Sequence, residues 1–462
     1  MLTHKGPNWL IFSYFFNIDG KASSQHIDDR IPHLIALGIK PALISSICSE
    51  RCSDVAHHRV PSIAPSGIRF ELRYLKRRSR IFRFAAFPLL LVVLPLYCIE
   101  KALINLESEW SWFAPALLRG LMLCRKRRPD LIYSTGGPPC AHLAAGLLAR
   151  WTKIAWIAEL QDPIVFKGWR RSKAALKLNS QLERFILGEA SAVVFLTEGA
   201  REKSLQRTNP GKASKTHVIY PGAGPRAQQQ GVYRTEGFCR FAHFGSLAGT
   251  RSPEKFLEAF EILLDRKPEL IEKVRLHFYG PTDSLCGKII DRFKHTEIIS
   301  NFGKIPRLEA LEEMQRCDAL VLIQNLDDLS YETIPSKVYE YLQAKRPILA
   351  LVYRNPHLRA MLLEQGHFVA TGDSPTEIRE QIERILEKWR KADRNLEDLP
   401  DSPYTVGNAV EKLMAIPLEL AVSSRDVVKP GSTGKYMSPA AETAARRGPL
   451  CPKNRSGAPG AV

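Results

Sequence analysis

Two uncharged apolar runs, residues 319–323 and 347–352, enclose the stretch LSYETIPSKVYEYL at residues 329–342. Runs apolar on both faces read as buried strands of a parallel sheet, and parallel neighbours need a crossover, here a helix. This arrangement constrains the fold strongly, and it also locates a site, because doubly wound sheets bind ligands where strands end and helices begin. Pro335 lacks an amide proton and has a fixed φ, so it suits the first helical position and predicts a helix start close to it. The amides of Ser336, Lys337 and their neighbours would then point out of the helix start toward an anion such as a diphosphate, and Lys337 adds a full positive charge. Glu332 falls in the loop before the helix and Glu340 about a turn and a half into it, and both carboxylates can accept hydrogen bonds from sugar hydroxyls. An ordinary solvated helix start would show the same spacing, since paired glutamates recur by chance in a chain this rich in them.

The alternation continues on either side. Residues 9–16, 40–46, 129–134, 154–159 and 192–197 read as strands, with helical spacing in 140–151, 172–187 and 198–206. Residues 240–245, 274–280 and 298–302 open a second set, which alternates to about residue 391. Regular alternation predicts α/β architecture with doubly wound parallel sheets. A chain of 462 residues exceeds a single core. The expected organisation is a first domain at 1–220, a linker at 221–236 and a second domain at 237–400. A helix at 401–420 would cross back to the first domain, and 421–462 would be a disordered basic tail.

Sixty-six basic residues against 48 acidic give a net charge of +18, which favours a polyanionic partner, either nucleic acid or an anionic lipid surface. No helix-turn-helix, zinc-finger or RNA-recognition pattern accompanies the charge, so no nucleic-acid partner is expected. Residues 73–83 carry six basic side chains and no acidic one, and residues 84–99 carry no charge. Sixteen helical residues would span about 24 Å, short of a hydrocarbon core of about 30 Å. Pro88 and Pro95 also oppose one straight spanning helix. The segment 73–99 therefore reads as interfacial or shallowly re-entrant, with Arg77, Arg78 and Arg80 on anionic headgroups and Phe84, Phe87 and Leu91 at the boundary. The alternative is a buried core helix with a solvated basic lead-in. Nine scattered cysteines without zinc-ligand spacing, and a first apolar run that reads as a strand rather than a signal peptide, point to reduced thiols and no metal. The expected location is cytoplasmic, peripheral to the inner face of the cell membrane.

Strand, polar loop with Glu332, Pro335, Lys337, Glu340 and second strand together resemble the retaining nucleotide-sugar glycosyltransferases of family 4, whose signature is two glutamates separated by seven residues. YSTGGPPCAHLAA at 133–145, AELQDP at 158–163 and VVFLTEGAREK at 193–203 resemble that family's acceptor-side domain, and HFGSLAGTR at 243–251 its first donor-side loop. The resemblance implies the GT-B fold, two doubly wound Rossmann-like domains facing across a cleft. It also implies that Glu340 binds the donor ribose, while Glu332 and the amides after it hold the transferred sugar. Gly245, Ser246, Arg251, Pro335, Ser336 and Lys337 would cradle the diphosphate, with Arg251 and Lys337 neutralising it as it leaves. Gly20 is either on the diphosphate side of the cleft or in an ordinary turn. Asp162 either orients or deprotonates an acceptor hydroxyl or caps the turn after it.

Departures from the family are visible. Asp19, Gly20 and Lys21 stand where relatives often have two adjacent glycines. No histidine lies near Thr135, and His142 reads as a packed or surface residue, as His26, Asp28 and Asp29 read as a helix's polar face. The implied activity is a metal-independent hexosyltransferase without a cofactor beyond its nucleoside-diphosphate sugar. Its acceptor would be a lipid-linked saccharide in surface polysaccharide or glycoconjugate synthesis. Two rivals share the fold: a nucleotide-sugar epimerase and a non-catalytic, membrane-associated nucleotide-sugar-binding scaffold.

Overall fold

The computed structural model describes residues 6–18, 21–48, 55–78, 80–166, 172–208, 215–224, 236–392 and 399–426, without the side chains of 75–87 and 418–426. Residues Met1–Pro417 form one compact unit and Leu418–Val462 another. Of the second, the described part is the continuation of the helix Val406–Asp426. Gly20 and most of the basic tail lie outside the described residues.

Among the described residues nine strands build the first half: β1 (Asn8–Phe12), β2 (Phe15–Phe16), β3 (Lys40–Ser45), β4 (Ile47–Cys48), β5 (Ala56–Arg59), β6 (Leu131–Gly136), β7 (Trp156–Leu160), β8 (Ala192–Phe195) and β9 (Thr216–Val218). Seven of them form a parallel sheet in the order β5-β3-β1-β6-β7-β8-β9, while β2 and β4 pair separately. The order reverses between β1 and β6, so the crevice for a ligand opens at their carboxyl ends. The predicted continuous strand at 9–16 is broken at Ser13, whose hydroxyl donates to the Phe15 carbonyl at 2.8 Å. Strand β5 has no counterpart among the strands read from the sequence. Its residues, AHHR, carry no apolar alternation, because β5 is a partly exposed edge strand with little core to face.

The second half contributes β10 (Cys239–Phe244), β11 (Val274–Tyr279), β12 (Ile299–Gly303), β13 (Ala319–Ile323), β14 (Ile348–Val352) and β15 (Phe368–Thr371), in the parallel order β12-β11-β10-β13-β14-β15. Along β13, Ala319, Val321 and Ile323 enter one core and Leu320 and Leu322 the other. Burial on both faces is why the strand reads as an unbroken apolar run. Ala223 exchanges backbone hydrogen bonds with Tyr404 (3.2 Å) and Val406 (3.0 Å). The last helix then begins beside His33 of helix Ala22–Ala36, which a Cβ on Gly407 would approach to 3.8 Å.

Helices Pro65–Arg78 and Arg80–Leu103 form a hairpin. The second is longer than the uncharged run and continues through Pro88 and Pro95, both of which are exposed. Its base is tied down by Glu100, which is 8% exposed. Glu100 accepts from the Ser66 amide (2.7 Å), the Ser66 hydroxyl (2.5 Å) and the Trp110 indole (2.7 Å). Leu89, Val92, Leu96, Ile99 and Leu103 recur at intervals of three and four and are all exposed, so the helix is not buried in a core. Leu91 is also exposed, whereas the side chains of Arg77, Arg78, Arg80, Phe84 and Phe87 lie outside the described ones. Among the described residues no helix is long and apolar enough to cross a membrane.

Candidate active site

The ends of the two sheets share a cavity of about 320 Å³. Ala22, His26, Gln161, Asp162 and Thr197 line it from the first half, and Arg251, Asn325, Glu332, Ser336 and Lys337 from the second. A smaller recess bordered by Gln25, Asp29, Arg307 and Glu340 lies alongside, sharing Ala22, His26 and Ser336. A larger cavity of about 420 Å³ lies elsewhere, among helices of the first half. The groups able to do chemistry on a sugar line the smaller one.

The stretch after β13 is pinned from within. The Gln324 amide donates to the carbonyls of Ser330 (2.8 Å) and Thr333 (3.0 Å), and the Asn355 amide donates to the same two at 2.6 and 3.1 Å. Buried carbonyls that would otherwise be unpaired are thus satisfied and the loop shape is fixed. Leu329–Glu332 is a single helical turn rather than an open loop. The next helix runs Lys337–Ala344 with Ser336 at its N-cap, so Pro335 stands two residues before the helix proper. Its carbonyl accepts from the Val338 amide at 3.0 Å, and Ser336 accepts from Tyr339 at 3.2 Å, a tight opening turn that begins at the proline.

Both signature glutamates are buried and held by cations. Glu340 accepts from Lys337 Nζ at 2.6 Å and from Arg307 Nε at 3.1 Å. The other end of the Arg307 guanidinium reaches Asp29 of the first half at 3.2 and 3.4 Å. Burial opposes the charge on Arg307, but Asp29 and Glu340 more than offset it and its pKa is raised. Glu332 accepts from Arg207 Nη1 at 3.2 and 3.3 Å, and Arg207 also donates to Glu183 at 2.9 Å. Burial pushes the Glu332 carboxyl up, and Arg207 holds it down. Thr197 donates to the Glu332 carbonyl at 2.6 Å, a further contact across the cleft.

Arg251 donates to Asn325 at 2.9 Å, while its buried Nε has no partner among the described residues. Burial lowers its pKa, against the attraction of Asp327, as expected of a cation awaiting a negative ligand. Gly245 takes φ +149° at the end of β10, but neither it nor the exposed Ser246 lines the cavity.

In the first half, Gly136 ends β6 at φ +131°, a conformation that favours glycine, and Gly137 lies so close to the Asp162 carboxylate that a Cβ there would stand 2.9 Å from Oδ2 and displace it. Asp162 is exposed within the cavity, and the surrounding walls nevertheless push its carboxyl up, opposed by Lys21. Beneath it, Arg30 and Glu159 form a fully buried ion pair, completed by hydrogen bonds from Arg30 to Tyr133 (2.8 Å) and from Thr135 to Glu159 (2.8 Å). Gln161 donates to Thr135 at 2.9 Å, which connects the pair to the cavity wall. His142 is a packed histidine, 1% exposed and bonded to Ser134 at 2.9 Å, and burial lowers its pKa to about 4.

His26 and Asp29, read from sequence as a polar helix face, both border the cleft. Burial, with help from Arg30, lowers the His26 pKa to about 3, so its imidazole is neutral. Asp28 instead holds the Asn17 amide at 2.8 Å and the Ser24 hydroxyl at 2.7 Å. Arg207 and Arg307 carry no sequence signal, since their partners lie far away in the chain. Among the described residues no cluster of His, Cys, Asp and Glu could hold a metal ion.

Residues 51–222 match the family model of the glycosyl transferase 4-like domain. No curated protein matches the chain. Among solved structures, α,α-trehalose 6-phosphate synthase from Burkholderia multivorans is similar at 13% identity and TM-score 0.59, over 91% of this chain and 100% of that one. HepE from Anabaena, in complex with UDP, is similar at 12% identity and TM-score 0.56, again over 91% and 100%. Sucrose-phosphate synthase from Thermosynechococcus elongatus follows at 14% identity and TM-score 0.54, over 91% and 99%. At such identities the likeness is one of fold. With two parallel Rossmann-like sheets and this likeness to solved structures, the chain has the GT-B fold, and its residues 51–222 are similar to the glycosyl transferase 4-like domain.

Proposed function

We propose that the protein transfers a hexose, without a metal ion, from a nucleoside-diphosphate sugar to a hydroxyl of a lipid-linked saccharide. The configuration at the anomeric carbon is retained. The observation that carries this reading is the convergence on one cavity of Glu332, Ser336, Lys337 and Arg251 from one sheet and Asp162 from the other. The diphosphate lies at the start of helix Lys337–Ala344, where free amides and Lys337 favour an anion. Lys337 and Arg251 stabilise the charge that grows on the leaving diphosphate. Glu340 takes the ribose, Glu332 orients the transferred sugar and Asp162 faces the acceptor hydroxyl. The UDP bound to HepE makes uridine the first base to test.

The reaction takes place at the inner face of the cell membrane, in surface polysaccharide synthesis. The exposed stripe Leu89, Val92, Leu96, Ile99 and Leu103 supports this location, and the basic run 73–83 that precedes it in the sequence would suit anionic headgroups. The test is to incubate the protein with uridine and guanosine diphosphate sugars and lipid-linked saccharides, and to read the product's mass and anomeric configuration. A glycosylated acceptor of retained configuration is expected. An epimerised donor, or nucleotide-sugar binding without turnover on any acceptor, would overturn the reading in favour of one of its rivals. In parallel, the protein should float with anionic vesicles, and Val92→Asp with Leu96→Asp should weaken that association about tenfold or more, since each buried leucine-sized side chain contributes about 1.5–3 kcal/mol. Unchanged flotation would exclude the stripe as the contact.

A further inference from the structure

The cavity of about 420 Å³ in the first half plays no part in the donor chemistry. Leu106, Trp110, Leu143, Leu178, Leu182 and Phe185 form its largely apolar walls. At roughly 30 Å³ for each water-sized group it has room for about fourteen such groups, enough for a stretch of hydrocarbon chain. One end continues an exposed surface: the stripe on helix Arg80–Leu103 ends at Leu103 (80% exposed) and Ile104 (41%), two residues before Leu106 in the wall. At the other end the wall includes Pro139 and Cys140, which directly follow the Gly136–Gly137 loop that lies against Asp162.

Lys21 directly precedes Ala22, which lines the cleft. It acts electrostatically on Glu109, in the cavity wall, and on Asp162, in the cleft. Its ammonium lies 3.8 Å from the Phe15 ring centroid and, among the described residues, no carboxylate is within ion-pair distance. Of the two acids in the cavity wall, Glu107 already accepts from Asn179 at 3.2 Å. Burial pushes the Glu109 carboxyl up, against Lys21, which limits its repulsion of a bound anion.

We propose that this cavity seats the phosphate-proximal hydrocarbon of a lipid phosphate-linked acceptor, with its phosphate at Lys21 and its saccharide before Asp162. The inference rests on the lipid-linked acceptor proposed above, and it makes the apolar stripe the route by which the chain leaves a bilayer. The occupant is argued from two features together: an apolar cavity whose wall residue Leu106 closely follows an exposed apolar stripe, and Lys21, a cation that has no ion-pair partner among the described residues and directly precedes the cleft residue Ala22. A detached hydrocarbon would not need the lysine, and a free phosphate would not need the cavity.

The test is calorimetric titration of the full chain with farnesyl phosphate below its micellar concentration, with farnesol and inorganic phosphate as controls and UDP titrated in the same preparation. Farnesyl phosphate should bind at least about tenfold more tightly than either control. Leu143→Trp, which fills the cavity, should weaken that binding about tenfold or more while leaving UDP affinity unchanged. Should the tryptophan prevent folding, Leu178→Asp at a half-exposed wall position (46%) gives the same loss by placing charge in the wall. Failure of farnesyl phosphate to bind, or equal binding by the cavity variants, would overturn the assignment. UDP binding without farnesyl phosphate binding removes the cavity and leaves the transferase reading intact. Farnesyl phosphate binding with the expected losses, but no nucleotide binding, would do the reverse.

Discussion

Lys337→Ala lowers kcat for sugar transfer by about 10²–10³-fold, the usual cost of removing one preorganised charge-stabilising donor. Lys337 combines two stabilising effects at one point. Its position as the first residue of helix Lys337–Ala344 places it beside free amides, and its ammonium lines the cavity 2.6 Å from Glu340. In the proposed transfer, negative charge on the departing diphosphate grows between the ground state and the transition state, so kcat should fall more than the KM for the donor rises. Lys337→Arg keeps the charge and should recover part of the loss. Glu340 retains Arg307 in either variant, so the ribose contact proposed for it should survive. Steady-state kinetics at varied donor concentration decide the matter. A rise in KM with kcat unchanged would mean that Lys337 binds the ground and transition states equally.

Arg30→Met destabilises the protein by about 3–5 kcal/mol, the cost of leaving one charge of a buried pair without its partner. Arg30 and Glu159 are 1% and 0% exposed, and Glu159 lies one strand residue before Leu160 and the cleft residues Gln161 and Asp162. The unpaired carboxylate has no water to replace the guanidinium. Arg30→Met combined with Glu159→Leu removes both charges and should recover most of the loss, because paired removal avoids the stranded ion. Urea denaturation of the two variants against the parent measures this directly. Equal loss in the single and double variants would show that packing, not the ion pair, sets the cost.

The parts of this architecture legible in the sequence are those written in local periodicity. Strands β10, β11 and β13 fall within a residue or so of where apolar runs place them, and the crossover at 329–342 follows from its two flanking strands. Local pattern also failed where the physics is not local. Strand β5 has no apolar face to advertise it. The exposed face of helix Arg80–Leu103 is hidden in a run that is apolar all round, so only packing shows which side is left to solvent. The cations that grip the two glutamates are the clearest case. Arg207 is separated from Glu332 by 125 residues, and Arg307 from Asp29 by 278, so these contacts exist only once the two sheets meet. The pair Glu332 and Glu340, and the Lys337–Glu340 contact at i,i+3, are legible from spacing and resemblance, but the arginine ion pairs that hold the glutamates are not.

The central claim is that the helix start at Pro335 to Glu340 binds a nucleoside diphosphate. Calorimetric titration of the protein and of Glu340→Ala with uridine and guanosine diphosphates and their sugars tests it most directly. One nucleotide should bind the parent, and the variant should bind it more weakly by about 1–3 kcal/mol, the cost of a lost hydrogen bond to a charged group. Equal affinity in parent and variant, or no nucleotide binding at all, would contradict the assignment of the site.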